Sequence, residues 1–252
     1  MKSGSKDASW LIMIDLDDTL FPNGHLYVEA AIQSALRITR ALGPKTPYPN
    51  VLFSFQHDLD VVMVKEYGYS VARYAESWTR TYRHFAVSAG IKPDENVELA
   101  IVSAATGFTR GPFVLFDGVI EALTALRQDG HELRLVTVGE DRLQNEKIVT
   151  TGLGSHFDGV HITQMQKRTQ MQALAGSRRE RVMMVGDSFR SDIAPAVELG
   201  YTAVYVPGDT WTHSLSVRVP EGTYHRIESV RELPELVRHL ERIGAINGKI
   251  PQ

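Results

Sequence analysis

Apolar positions fall into two textures along the chain. Five short runs, at positions 10–14, 133–136, 159–162, 182–185 and 202–206, are almost unbroken and rich in β-branched residues, which predicts strands buried on both faces. From position 133 onward helical stretches separate them, at 142–150, 169–175 and 192–199. A helix over 119–128, stopped by Asp129-Gly130, precedes the second run. Such strand–helix alternation predicts a parallel α/β sheet covered by helices on both faces. A last amphipathic helix is expected over 227–243, started near Ser229 and ended by Gly244.

Between position 20 and about position 111 the texture changes. Helical periodicity dominates and no buried strand is evident, with helices expected over 28–42, 59–66, 70–89 and 96–104 and breaks at Gly43-Pro44 and 47–49. The reading is a discontinuous core, residues 1–20 with 112–252, interrupted by an inserted helical domain over 21–111. Within the insert, Tyr74, Trp78, Tyr82 and Phe85 recur at spacings of three and four, a packing stripe, while Arg73, Arg80 and Arg83 fall off it and are expected to face solvent.

Composition narrows the possible functions. The 252 residues are 43% hydrophobic and 23% charged, ordinary globular values that exclude disorder. Basic residues number 27 against 30 acidic ones, so the net charge of −3 offers no electrostatic case for nucleic acid or a membrane surface. The absence of cysteine removes disulfides, zinc-thiolate sites, iron–sulfur clusters and thiol catalysis together. The run at 10–14 stops at Asp15, far short of the roughly 20 residues of a membrane span, so a soluble, cytoplasmic protein is expected. Polar, loose ends are expected at 1–9 and 247–252.

The strongest chemical signal is Ile12-Met13-Ile14-Asp15-Leu16-Asp17-Asp18-Thr19-Leu20, a buried strand running straight into three carboxylates. Residues two apart in an extended segment share a face, so Asp15 and Asp17 are expected above the carboxyl edge of the sheet, where open α/β sheets bind ligands. Like charges so close need a cation or a proton between them. One carboxylate of such a pair can attack an electrophile while the other shuttles a proton. Turn or helix-cap chemistry is the plainer explanation of Asp-Asp-Thr.

A second strand ends the same way, Val182-Met183-Met184-Val185-Gly186-Asp187, with Asp192 five residues on. Magnesium takes oxygen ligands and uses only one or two carboxylates, so Asp15 and Asp187 from adjacent strands would suffice. Asp192 suits either support of that site or an N-cap for the next helix. The third candidate strand ends at Thr137, whose hydroxyl, with the backbone from Val138 onward, could hold a phosphate oxygen at a helix start. A cation to offset phosphoryl charge is expected at Lys167; Lys147 and Arg168 compete, and Lys147 is expected to face solvent on the helix after Thr137.

The order Asp15-x-Asp17-x-Thr19, Thr137, Lys167, Gly186-Asp187-x-x-x-x-Asp192 resembles the four-motif signature of the haloacid dehalogenase superfamily. The resemblance runs over residues 11–20 and from about 116 to 206, with Gly130-His131-Glu132-Leu133 leading into the threonine strand. It implies a Rossmann-like, doubly wound core with a helical cap inserted after the first motif. It also implies roles: Asp15 as the nucleophile forming an aspartyl-phosphate, Asp17 as general acid and base, and Thr137, Val138 and Lys167 as phosphate binders. Magnesium would be held by the Asp15 carboxylate, the Asp17 backbone carbonyl and Asp187, with Asp192 in support.

Superfamily members that cleave carbon–halogen bonds are not expected to carry an acid two residues after the nucleophile, because no leaving oxygen needs a proton. Asp17 therefore points to phosphoryl transfer, and the expectation is a magnesium-dependent phosphomonoesterase acting on a small phosphorylated metabolite. Two alternatives stand beside it. A phosphomutase would return the phosphoryl group to a bound sugar phosphate rather than to water. A signalling receiver also carries an aspartyl-phosphate, but places its aspartate on a later strand and has no helical insert.

Overall fold

The computed structural model describes residues 9–164, 166–208 and 211–247; of the expected loose ends over 1–9 and 247–252, residues 1–8 and 248–252 lie outside the described residues, and Asn247 ends a helix. The described strands are β1 (Leu11–Ile14), β2 (Glu132–Val138), β3 (Gly159–Thr163), β4 (Val182–Gly186), β5 (Thr202–Tyr205) and β6 (His225–Arg226). They form one sheet in the order β3-β2-β1-β4-β5-β6, every neighbouring pair parallel. No residue of β1 is more than 1% exposed, as expected for a strand covered on both faces. Its last residue, Ile14, pairs with Leu135 of β2 and Val185 of β4, which run on to Val138 and Gly186, and the Asp15 N–H donates to the Val185 carbonyl at 2.9 Å. The strand order reverses here, which is where a doubly wound sheet opens a crevice beyond its carboxyl ends.

Helices fill the intervals: α1 (Gly24–Leu42), α2 (Pro49–Tyr67), α3 (Val71–Ser88), α4 (Glu95–Ala105), α5 (Val119–Gln128), α6 (Asp141–Thr151), α7 (Lys167–Ala175), α8 (Ala194–Glu198) and α9 (Leu233–Asn247). On one side of the sheet Leu11, Met13, Val182 and Met184 pack with Met171 of α7 and Ala196 of α8. No described helix is long and apolar enough to cross a membrane.

Several boundaries differ from expectation for identifiable reasons. β3 is half-buried throughout because it lies at one margin of the sheet, and β6, at the other margin, is the polar pair His225-Arg226 with no apolar run to betray it. α2 starts ten residues before its expected start because proline fits the first helical turn, where its missing N–H costs nothing. Ser229 caps a short 3₁₀ turn, Val230–Glu232, and α9 continues through Gly244, so that glycine is not a stop. The stretch expected as one helix over 192–199 is a π-helical turn, Phe189–Ile193, followed by α8, and Ser188, not Asp192, caps it by accepting from the Ser191 N–H.

The chain divides into two compact units, one made of the described parts of Met1–Pro22 and Phe113–Gln252, the other of Asn23–Pro112. Inside the second unit α3 buries Tyr74, Trp78 and Tyr82, and Tyr27 stacks on Phe108 with ring centroids 4.2 Å apart. Arg80 pairs with Glu76 and Arg83 with Glu98 on the surface, but Arg73 is not solvated. It is buried in an ion pair with Asp60, the carboxylate one helix away compensating the cost of taking the guanidinium out of water.

Histidine burial gives the core unit a pH dependence. His131 is buried and its Nδ1 accepts from the Trp10 N–H at 3.4 Å, which needs an unprotonated nitrogen. Burial, outweighing the nearby Glu241 and Asp129, holds its pKa below the ordinary histidine value. A depressed folded-state value stabilises above the unfolded pKa and is lost as pH falls through the folded one. The melting temperature should therefore fall more steeply between about pH 7 and pH 5 in the unaltered protein than in a His131→Gln variant. Parallel melting curves for the two would remove His131 from the account.

Candidate active site

The residues just past β1 and β4 converge. Asp15 and Asp187 are each only 5% exposed and Asp192 is fully buried, and carboxylate oxygens from all three lie within 4.8 Å of one another. The Thr19 hydroxyl sits between two of them, 3.3 Å from Asp15 Oδ2 and 3.5 Å from Asp187 Oδ1. Lys167, the first residue of α7, sends its ammonium into the cluster, contacting Asp15 Oδ1 and donating to Asp192 Oδ1 at 2.7 Å. Asp192 Oδ2 accepts from the Ser188 N–H at 3.0 Å, so the π-helical turn folds this carboxylate back beneath the end of β4. Only glycine fits at position 186, because a Cβ there would lie 2.3 Å from Asp192 Oδ2.

Charge balance defines what this cluster needs. Burial alone would pull the Lys167 pKa down, but the carboxylates of Asp15 and Asp192 overcome it and hold the ammonium charged. Burial pushes Asp192 up, a rise that Lys167 opposes and Asp15 reinforces. Three carboxylates face one ammonium, so two negative charges stay uncompensated in a buried site unless protons or a cation arrive. A hard, all-oxygen donor set of this charge suits a divalent cation such as magnesium.

A second cluster adjoins the end of β2. Asp17, with its side chain 23% exposed, has Oδ1 2.7 Å from Lys147 Nζ and Oδ2 2.9 Å from Gln144 Nε2. Gln144 Nε2 also donates to the Thr137 hydroxyl oxygen at 2.7 Å and lies 3.4 Å from the Val138 carbonyl. Lys147 does not face solvent: it is 1% exposed, with its ammonium 5.7 Å and 5.8 Å from the ring centres of Phe21 and Phe113. Those π-faces and the Asp17 carboxylate together make the buried charge tolerable.

Most residues singled out from the sequence therefore meet at one edge of the sheet. Arg168 does not; it pairs with Glu198 on the surface. Thr137 is not at a helix start, since Gly139 and Glu140 separate β2 from α6, and the Gly139 N–H is already bonded to the Thr163 carbonyl at 2.9 Å. Gln144 and the true partner of Lys147 were missed. Their signal was available, because positions three apart on α6 share a face, and that face also carries the buried Leu143 and Ile148.

A model of the haloacid dehalogenase-like hydrolases matches residues 11–200, spanning every element of both clusters. The chain belongs to the haloacid dehalogenase-like hydrolases. Such a hydrolase from Xanthomonas campestris has a similar fold, with a TM-score of 0.77 at 21% identity, 95% of this chain and 94% of that one being covered. In sequence, the glyceraldehyde 3-phosphate phosphatase of Methanopyrus kandleri is 26% identical over 239 residues, 92% of this chain and 98% of that protein. The N-acylneuraminate-9-phosphatase of Mus musculus is 30% identical over 140 residues, about half of either chain. The helical insert after β1 and the parallel core are thus features of a hydrolase of this family.

Proposed function

We propose that this haloacid dehalogenase-like hydrolase is a phosphomonoesterase that works through an aspartyl-phosphate on a small phosphorylated metabolite. The observation that carries the reading is the juxtaposition of two differently served carboxylates on one strand exit. Asp15 lies in the acidic cluster beside Lys167, whereas Asp17 is held apart by Lys147 and Gln144. That division matches one nucleophile and one proton carrier.

In the first half-reaction an Asp15 oxygen attacks phosphorus, the bond from phosphorus to the leaving oxygen breaks, and Asp17 gives that oxygen a proton. In the second, Asp17 takes a proton from water as the water oxygen attacks phosphorus, and the bond to Asp15 breaks to release orthophosphate. Lys167 and the Thr137 hydroxyl, with the backbone at Val138, would offset and orient the phosphoryl oxygens. Magnesium would be held by Asp15, Asp187 and the Asp17 backbone carbonyl, with Asp192 in support, and would supply charge neutralisation to the phosphoryl group. The archaeal relative's name makes glyceraldehyde 3-phosphate the first metabolite to test.

Release of orthophosphate from 4-nitrophenyl phosphate and from glyceraldehyde 3-phosphate should require magnesium. It should stop on chelation with EDTA and resume when the ion is restored. Magnesium should also raise the melting temperature without substrate, because an ion that binds only the folded state stabilises it. Turnover indifferent to EDTA, or no phosphate from any of a broad panel of phosphomonoesters, would overturn the reading.

A further inference from the structure

Gln144 is 1% exposed, and its side chain is seated against Gly139, where a Cβ would lie 3.0 Å from Gln144 Cγ and Cδ. The left-handed backbone at Gly139, with φ of +157°, makes that seat a built feature of the turn after β2. The orientation of the amide follows from its neighbours. Asp17 as a carboxylate only accepts, so the atom 2.9 Å from its Oδ2 is the nitrogen, and the same nitrogen lies 2.7 Å from the Thr137 oxygen. Its two N–H bonds thus go to Asp17 and to Thr137.

This arrangement fixes the polarity of Thr137. A hydroxyl whose oxygen already accepts from an amide keeps its own hydrogen to give away, and the group nearby that only accepts would be a phosphoryl oxygen. On the Asp17 side, Gln144 and Lys147 each occupy one lone pair of one oxygen, which sets the carboxylate plane and leaves each oxygen another lone pair toward the crevice. We infer that Gln144 is a positioning residue that aims the Asp17 carboxylate at the leaving oxygen and the Thr137 hydrogen at the phosphoryl group through one amide. The inference rests on the phosphomonoesterase reading and adds a residue to it.

The test compares Gln144→Met, which keeps length and packing, with Gln144→Glu on two substrates. kcat/KM reports the first half-reaction alone, where a poor alkoxide leaving group needs the Asp17 proton and 4-nitrophenolate scarcely does. Gln144→Met should lower kcat/KM for glycerol 1-phosphate by about 30-fold but for 4-nitrophenyl phosphate by only about threefold, the shared loss arising at Thr137. The inhibition constant for orthophosphate should rise about threefold with either substrate. Gln144→Glu keeps the length but puts an acceptor where the amide donates, and should show the same selective loss on glycerol 1-phosphate, which a merely structural role would not produce. Equal losses on both substrates, or no loss in either variant, would overturn the inference while Asp15-dependent turnover left the phosphatase reading standing. A misfolded Gln144→Met, seen by circular dichroism, leaves Gln144→Glu and its two-substrate comparison to decide. Absence of phosphatase activity in the unaltered protein would remove both.

Discussion

Asp15→Asn should abolish phosphate release, lowering turnover by roughly four orders of magnitude or more, because an amide oxygen cannot form and then release an acyl phosphate. The substitution keeps the volume of the side chain and removes one of three carboxylates crowded within 4.8 Å, so like-charge repulsion falls and the melting temperature should not drop. Loss of activity with an intact fold separates chemistry from structure. Two measurements check it: steady-state phosphate release, and acid-quenched trapping of radiolabelled phosphate on the protein, which should label the unaltered chain and not the variant. Persistent turnover by the variant would mean that another group attacks phosphorus, and the reading of the strand exit would fail.

Lys167→Met should strongly destabilise the core. Its ammonium is buried between Asp15 and Asp192, and without it three carboxylates would share a dry site with no resident cation. Removing one partner of a buried ion pair costs about 3–5 kcal/mol, most of it the penalty on the charges left behind. The sign of the pH effect follows. Uncompensated carboxylates have raised folded-state pKa values, so the variant should regain stability as the pH is lowered toward protonation, and relative to the unaltered protein it should gain more from added magnesium. Activity should fall by roughly 10²–10³, the usual loss when a charge-stabilising donor is removed. Chemical denaturation across pH, with and without magnesium, reads all of this; an unchanged unfolding midpoint would show that Lys167 is not the counter-ion of the cluster.

The core was legible because its strands are buried on both faces and therefore spell unbroken apolar runs. β1 and β4 in addition end in carboxylates that no packing argument explains. Of the two strands at the sheet margins, β3 was legible from its apolar run and β6 was not, since a two-residue strand needs no apolar run of its own. Residues whose role depends on what lies across from them were read less well. Arg73 and Lys147 were read as solvated because long cations usually are, but Asp60 and Asp17, which compensate their burial, come from sequence positions 13 and 130 residues away. Asp192 reads equally as support for the site or as a helix cap in one dimension, and its bond to Lys167 forms only because the π-helical turn folds it back. Gln144 carries no charge, and although it shares a buried face of α6 with Lys147, its contacts with Asp17 and Thr137 are what give it a role.

The place of β1 in the sheet bears on how the protein is made. Both of its hydrogen-bonded neighbours, β2 and β4, come after the ninety-residue unit Asn23–Pro112, and β4 does not end until Gly186. On the ribosome the segment bearing Asp15 is synthesised before either partner, and it must wait, apolar, until Val138 has emerged to pair along one edge and until Gly186 has emerged to pair along the other. Nascent chains stalled before and after that point should differ in protease resistance at this segment, and the wait marks it as the natural target for a chaperone that shields exposed strands.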